Sequence, residues 1–237
     1  MRSLAAVLLA LAGCNPDPGD PEEGVEYRDG ITSDYETGER GSLKISEIFW
    51  SGSVQDDGTW DASDVFIEIR NEGTRPMDIS RWRLVLEGET EKDFRLPQLE
   101  RDVEVGEHVF FAAKTTGCFP SPDGVIEGLE FPFGGAFYLS LQDVDEHIID
   151  SAGDRGRARP AYSGGYDLLV SRSMERVEMM FGANGDEPHA WHYYTPAPAD
   201  VPNNDRVLEG CRTRTLASPG RPNSPDYSGA FASGSLE

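Results

Sequence analysis

The feature that most constrains the fold is a series of short runs rich in β-branched and aromatic residues, each bounded by turn formers. In the clearest run, residues 64–70, Val65, Ile67 and Ile69 alternate with Phe66, Glu68 and Arg70. Such alternation is typical of a β-strand. The turn-forming stretch 71–76 follows, with Gly73 and Pro76 as breakers.

The same character recurs along most of the chain. The predicted strands are residues 43–50, 64–70, 77–86, 108–113, 136–142, 146–150, 168–176 and 190–194. No run carries a long apolar repeat of 3.6 residues, so no substantial helix is predicted. Several short strands with frequent turns predict an all-β chain, folded as an antiparallel β-sandwich. Ile79, Trp82 and Leu84 are predicted core residues of the third strand.

The N-terminus indicates export. One apolar run, residues 4–11, follows Arg2 and ends in Leu11-Ala12-Gly13-Cys14. A short apolar segment behind a positive charge is typical of a secretory signal, and it is too short to span a membrane. The ending resembles the lipobox of bacterial lipoproteins. The alternative is an ordinary secretory peptide, residues 1–13, with Cys14 in a disulfide.

The lipobox resemblance implies a diacylglycerol on the sulfur of Cys14 and a third acyl chain on its amine. Since stable anchoring needs more than one chain, such a lipid would hold the protein on the membrane without further contacts. Asn15, where an aspartate would signal retention at the inner membrane, favours the outer membrane. We therefore expect an exported protein, anchored to the bacterial cell envelope through Cys14.

Residues 14–41 are predicted to form a disordered acidic tether. This stretch is rich in proline, glycine and carboxylates and has no apolar periodicity, so it cannot bury enough apolar surface to offset its ordering entropy. It would lift a domain, residues 42–223, off the membrane, or be a solvated tail without a role. Residues 224–237 are predicted to be a flexible C-terminal tail.

The formal net charge of −22 limits the possible partners. It argues against nucleic acid, whose affinity depends on cationic contacts with phosphates, and against electrostatic docking to anionic lipids. It would attract cations or basic partners, although a solvated acidic surface is the preferred explanation of the charge. Of the three cysteines, Cys118 and Cys211 remain if Cys14 is lipidated. In an oxidising space a disulfide between them is favoured over two separate thiols.

Motifs in a fixed order from residue 43 to residue 223 resemble the lamin-tail domain, an immunoglobulin-like β-sandwich. The motifs are Ile45-Ser46-Glu47-Ile48, residues 64–71, residues 77–84, Ser173-Met174-Glu175-Arg176 with a later Trp191, and the closing Ser218-Pro219-Gly220-Arg221-Pro222-Asn223. Arg81 replaces the family's usual glycine, so a different local turn is expected there. The segment 194–217 is longer than in the family and looks like an insertion.

The resemblance implies a binding or targeting module and supplies no catalytic residues. Glu68 and Arg176 both belong to the matching motifs. Because a buried carboxylate must be paired or protonated, we predict a structural ion pair between them.

Two groups of side chains invite a metal-binding hypothesis. Asp56, Asp57, Asp61 and Asp64 crowd the turn around Gly58, and Asp143, Asp145 and Asp150 lie near Glu146. Calcium needs several oxygen ligands in one loop, but the spacing of neither group matches an EF-hand. The four aspartates around Gly58 are therefore kept as candidate calcium ligands without a recognised motif. His189 and His192 flank Trp191. Zinc needs three or four ligands, so we expect surface histidines beside a core tryptophan.

No nucleophile elbow, phosphate-binding loop or CxxC pair is present in the sequence. We therefore predict a non-catalytic binding module without a cofactor, whose partner is another envelope protein or an extracellular polymer. The alternatives are a calcium-dependent adhesion module and an envelope hydrolase with an unrecognised site.

Overall fold

The computed structural model describes residues 37–89, 91–132, 134–156, 162–177, 184–197 and 200–225, all within one structural unit, residues 34–237. These residues form fifteen strands. The strands are β1 Leu43–Phe49, β2 Ser53–Val54, β3 Trp60–Asp61, β4 Phe66–Asn71, β5 Arg83–Glu87, β6 Glu91–Arg95, β7 His108–Ala112, β8 Gly124–Val125, β9 Tyr138–Gln142, β10 Ile148–Gly153, β11 Gly165–Tyr166, β12 Ser171–Arg172, β13 Met174–Arg176, β14 Trp191–Tyr193 and β15 Thr215–Leu216.

Two larger sheets make up the sandwich. Their strand orders are β14-β13-β1-β4-β7-β8 and β10-β9-β5-β6. Two small sheets, β11-β12-β15 and β2-β3, flank them. Most pairings are antiparallel, while β7–β8 and β12–β15 are parallel. The helices in the described part are three short 3-10 turns, Pro188–Ala190, Val201–Asn203 and Glu209–Cys211. The predicted all-β, immunoglobulin-like sandwich is confirmed.

The main core lies between the two larger sheets. Ile48, Ile67 and Phe111 from the six-stranded sheet belong to one apolar cluster with Trp82 and Leu141, and all five are fully buried. The predicted core residues Ile79, Trp82 and Leu84 are buried as well. Burial of a side chain of this size stabilises the fold by about 1.5–3 kcal/mol, so this interface supplies much of the driving force for folding.

A second core covers the outer face of the six-stranded sheet. Phe49, Phe66, Phe110 and Phe119 form a cluster of rings whose neighbouring centroids lie 4.7–5.7 Å apart. The disulfide between Cys118 and Cys211, with Cα atoms 5.9 Å apart, belongs to the same cluster. The favoured cysteine pairing is thus the one formed. Because both faces of β4 are covered, every residue from 65 to 69 is buried, including Phe66 and Glu68.

Several predicted strand boundaries change. The predicted strand 77–86 begins as a turn, and Met77 only bridges to Val103 before β5 starts at Arg83. The predicted strand 168–176 is divided into β12 and β13. Strand β6 was not predicted.

The ends of the domain also differ from the prediction. Gly41 donates its backbone N–H to Ile149 (2.9 Å), and Gly38 donates to Asp143 (3.3 Å), so the last residues of the predicted tether belong to the sandwich. The predicted signal peptide, Cys14 and nearly all of the tether lie outside the described residues, as does the predicted tail beyond Pro225. Within the described part, the structure has no helix long and apolar enough to cross a membrane.

Candidate functional site

One depression in the described surface is a cleft lined by five aromatic side chains. Two adjoining cavities of about 340 and 390 Å3 share Trp50 and Tyr166. Trp60 and Phe131 line the first cavity, and Tyr193 lines the second. These five residues are called the aromatic cleft below. Volumes of this size are typical of ligand sites, which range over roughly 300–1,000 Å3.

A glycine-dependent hairpin places Trp60 in the cleft. Strands β2 and β3 pair through Val54 and Trp60, and Gly52 lies at the base of this hairpin with φ of 80°. A Cβ atom on Gly52 would lie 2.4 Å from the backbone oxygen of Asp61. Only glycine allows this approach at this backbone conformation, so Gly52 fixes the position of Trp60.

The rings of the cleft are held by the protein itself. The indole N–H of Trp60 donates to the carbonyl of Ser51 (3.0 Å), and its ring stacks on Tyr166 with centroids 5.1 Å apart. The indole N–H of Trp50 donates to the carbonyl of Ser163 (3.1 Å). Trp60 nevertheless remains 36% exposed and Tyr193 49% exposed. The cleft therefore presents fixed aromatic surface to solvent.

Polar groups surround these rings. Ser63 and Glu130 line the first cavity, and Asp167 and Arg172 line the second. Asp167 accepts hydrogen bonds from the backbone N–H groups of Val170 and Leu169, which lower its pKa. The Arg172 guanidinium lies 5.7 Å from the centre of the Tyr193 ring. The described lining residues include no histidine or cysteine, and the hydroxyl of the lining Ser63 is bound to Asp61 and Lys114. The cleft offers aromatic surface together with hydrogen-bonding groups.

A second unusual feature lies on the outer face of the six-stranded sheet, where three glutamates occupy adjacent strands. Glu47 on β1 is the register partner of both Glu68 on β4 and Glu175 on β13. None of the three has any exposed surface. They are called the carboxylate cluster below, and each comes from a different motif of the lamin-tail resemblance.

The closing motif of that resemblance, together with the next residue, Ser224, lies over the carboxylate cluster. Residues 218–224 are called the strap. Ser218 donates its backbone N–H to Glu47 (2.9 Å), and Gly220 donates its own to Glu68 (2.6 Å). The hydroxyls of Ser218 and Ser224 both donate to Glu175. The strap therefore supplies donors to all three carboxylates.

The carboxylate cluster has no buried lysine or arginine among its described hydrogen-bond partners. Glu68 also accepts from the Ser46 hydroxyl (2.6 Å) and contacts Nδ1 of His108 (2.7 Å), while Nε2 of His192 lies 3.8 Å from Glu175. Burial raises the pKa of Glu175 to about 7 and that of Glu47 well above its usual value, and the neighbouring carboxylates reinforce both shifts. Burial likewise raises the pKa of Tyr194 to about 12, with Glu175 contributing.

Perturbed carboxyl groups often mark catalytic sites, but structural networks perturb pKa values too. Here the strap covers all three side chains and donates to each, so the arrangement closes the fold rather than presenting an acid or base to a substrate.

The predicted ion pair between Glu68 and Arg176 is wrong. Arg176 instead contacts Asp150 at 3.4 Å, and its guanidinium lies 5.0 Å from the centre of the Trp191 ring. The reason is the alternation of a strand. Glu175 shares the outer face with Glu68, so its neighbour Arg176 points to the opposite face.

The four calcium candidates each bind protein donors. Asp56 accepts from the backbone N–H of Thr213 (3.1 Å), and Asp57 accepts from that of Thr59 (2.8 Å). Asp61 accepts hydrogen bonds from Lys114 and Ser63. Asp64 accepts from the Ser53 hydroxyl and from the backbone N–H of Cys118. Among the described residues, no group of three or more His, Cys, Asp or Glu side chains is placed to hold a metal ion.

The second acidic group and the histidines are also dispersed. Asp143 accepts from the backbone of Asp145 and His147, whereas Asp150 binds Arg176. His189 is exposed beside Glu187, but His192 is only 5% exposed. The expectation of a surface position is therefore wrong for His192, because it faces the carboxylate cluster from β14.

The aromatic cleft was not predicted from the sequence. Its side chains come from five separate segments of the chain, and each tryptophan or tyrosine alone is equally consistent with a core position. The available signal was the placement of Trp60 directly after the polar turn 55–59 and of Tyr166 directly after Gly164-Gly165. No protein-family model matches this chain, and no curated protein sequence matches it.

Proposed function

We propose that this protein is a lipid-anchored, non-catalytic binding module of the bacterial cell envelope, with a lamin-tail-like sandwich that holds an extracellular polymer in the aromatic cleft. The single observation that carries the binding role is the cleft itself. Exposed aromatic surface with fixed geometry is uncommon on a soluble domain and typically marks an interaction site.

The distribution of titratable groups supports a non-catalytic role. The glutamates with raised pKa values lie beneath the strap. In the cleft, the Ser51 hydroxyl is bound to the Ser171 hydroxyl at 2.7 Å. The Ser63 hydroxyl donates to Asp61 and accepts from Lys114, at 2.8 Å each, so the described hydrogen-bond partners of neither serine include a histidine.

The proposed anchor depends on the resemblance of Leu11-Ala12-Gly13-Cys14 to a lipobox. A net charge of −22 would repel anionic lipid surfaces, so the lipid on Cys14 would hold the membrane and the sandwich would be free for its partner. Asn15 supports placement at the outer membrane.

The anchor is tested by expressing the full chain in a double-membrane bacterium supplied with labelled palmitate. We expect label on the wild-type protein and its recovery with the outer membrane. The Cys14→Ala variant should carry no label and leave the membrane fraction. An unlabelled wild-type protein that is soluble after export would overturn the proposed anchor.

The binding role is tested by co-sedimentation of the purified full chain with insoluble cellulose, chitin, peptidoglycan and cross-linked gelatin. We expect retention on at least one polymer and its loss in Trp60→Ala. Val105→Ala is the control, because Val105 is 52% exposed and is not a lining residue of either cavity. Equal sedimentation of wild type and Trp60→Ala with all four polymers would overturn the role.

A further inference from the structure

We infer that the ligand of the aromatic cleft is a neutral glycan of β-1,4-linked pyranose units, rather than a polypeptide. This inference rests on the proposed function and names the class of polymer that the cleft holds. Four properties lead to it: the fixed rings, the extent of the cleft over two cavities, the polar groups beside the rings and the negative charge of the chain.

The fixed rings suit the flat faces of sugars. In a β-1,4-linked pyranose chain with equatorial hydroxyls, both faces of each ring carry only C–H groups. The face of an aromatic ring is electron-rich and attracts such C–H groups. Trp60 is held by its hydrogen bond to Ser51 and by its stacking on Tyr166, yet 36% of its surface is exposed. A sugar would therefore pack on that exposed surface with little loss of side-chain entropy.

The cleft extends over two adjoining cavities of about 340 and 390 Å3. Trp60 lies in the first cavity, Tyr193 in the second, and Trp50 and Tyr166 border both. Each cavity alone has the volume of a small-molecule site. A chain rather than a single sugar is therefore the ligand that would contact both exposed rings, Trp60 and Tyr193, at once.

The polar groups suit hydroxyl ligands. Carboxylates accept two hydrogen bonds from neighbouring hydroxyls, and a guanidinium donates several in one plane. Glu130 lines the first cavity, while Asp167 and Arg172 line the second. The hydrogen bonds from Val170 and Leu169 that lower the pKa of Asp167 keep it an acceptor at neutral pH.

The backbone and the charge disfavour the other polymers. A polypeptide commonly binds by adding a strand to a sheet edge. The edge strands that carry cleft residues, β3, β11 and β14, have two or three residues each, and each is already paired on one side, so they offer few backbone groups to a peptide. The net charge of −22 disfavours an anionic glycan. A neutral glycan needs neither a sheet edge nor a basic surface.

Isothermal titration calorimetry of the full chain with cellohexaose and with chitohexaose, its N-acetylated counterpart, tests the inference. We expect binding of at least one. Affinity should fall at least tenfold in Trp60→Ala and in Tyr193→Ala, and should be unchanged in Val105→Ala. Tyr193→Ala is the safeguard against misfolding, because half of that side chain is already exposed. Binding of the disaccharides should be much weaker than that of the hexasaccharides.

The outcomes separate this inference from the proposed function. Cleft-dependent sedimentation with gelatin, and no heat with either oligosaccharide, would overturn the glycan assignment and keep the binding role. Oligosaccharide binding that is equal in wild type, Trp60→Ala and Tyr193→Ala would overturn the assignment to this cleft. If neither class of polymer shows dependence on Trp60, both proposals fail together.

Discussion

Glu47 on β1 lies directly opposite Glu175 on β13, and both carboxyl groups are fully buried beneath the strap. Two like charges at this separation cannot both ionise without a large penalty. The raised pKa values of both groups show that the fold favours their protonated forms. The stability of the strap's packing over this pair is therefore expected to depend on pH.

The first prediction concerns pH. Burial raises the folded-state pKa of Glu175 from 4.5 to about 7. Its contribution to stability is therefore fully present below pH 4.5 and is lost as pH rises through 7, a change of about 3 kcal/mol. We expect the free energy of unfolding to be lower at pH 8 than at pH 5, and less so in Glu47→Gln. Urea denaturation at both pH values measures this.

Glu127→Gln is the control for that experiment, since Glu127 is exposed. It should show the same pH dependence as the wild type. If Glu47→Gln loses as much stability as the wild type between pH 5 and pH 8, the buried Glu47 does not contribute to the pH dependence.

The second prediction concerns the strap. Asn223 donates from its side-chain nitrogen to the carbonyls of Ser46 (2.9 Å) and Arg176 (2.8 Å). We expect Asn223→Ala to lower the free energy of unfolding by about 1–3 kcal/mol, because two carbonyls lose their donor. Asn223→Asp should lower the free energy of unfolding further, because it sets a carboxylate against both carbonyls.

Arg221→Ala is the control. It removes an exposed ion pair with Asp205 and should change stability by less than about 1 kcal/mol. Equal effects of Asn223→Ala and Arg221→Ala would contradict this role of the strap.

The third prediction concerns Arg81, which has a φ of 68°. This is the left-handed conformation that favours glycine, the residue of the lamin-tail motif at this position. Arg81 thus adopts a backbone conformation that glycine reaches without strain, at a backbone cost of about 1–2 kcal/mol. We expect Arg81→Gly to raise the free energy of unfolding by about 1 kcal/mol, whereas Arg81→Ala should bring no gain. A loss of stability in Arg81→Gly, measured by thermal denaturation, would contradict this explanation.

The fourth prediction concerns the disulfide. Cys118 and Cys211 are 93 residues apart in sequence, and a loop of this size corresponds to about 4–5 kcal/mol in the chain-entropy model. We expect the double variant Cys118→Ala, Cys211→Ala to lose a comparable free energy of unfolding in urea. A loss below about 1 kcal/mol would mean that the packing of the phenylalanines in the second core stabilises this part of the fold without the disulfide.

The strands that the sequence predicts well are those that carry apolar residues on at least one face throughout. Strand β4 is the clearest case, because its alternation persists although both faces are buried. Strand β6 escaped prediction because Phe94 is its only apolar residue among charged neighbours. Its pairing with β5, a tertiary contact, overrides the weak local preference.

The candidate site was harder to predict because it depends on faces and on distant segments. The motifs identified Glu68 as a structural carboxylate, but not its partners. A register shift between Ile45 and Glu47 on β1 brings Glu47 level with Glu68, and such a bulge leaves no unambiguous mark in the sequence. Trp60 and Tyr166 lie on β3 and β11, and the pairing of each of these short strands with its neighbour brings both residues to Trp50. Such tertiary pairing is not visible in the local sequence.

Calorimetric titration of the full chain and its Trp60→Ala variant with cellohexaose and chitohexaose decides whether the aromatic cleft is a binding site. A binding module with its site in the aromatic cleft predicts saturable binding by the wild type and at least a tenfold loss in the variant, with Val105→Ala unchanged. Binding of equal strength in wild type and Trp60→Ala would contradict it.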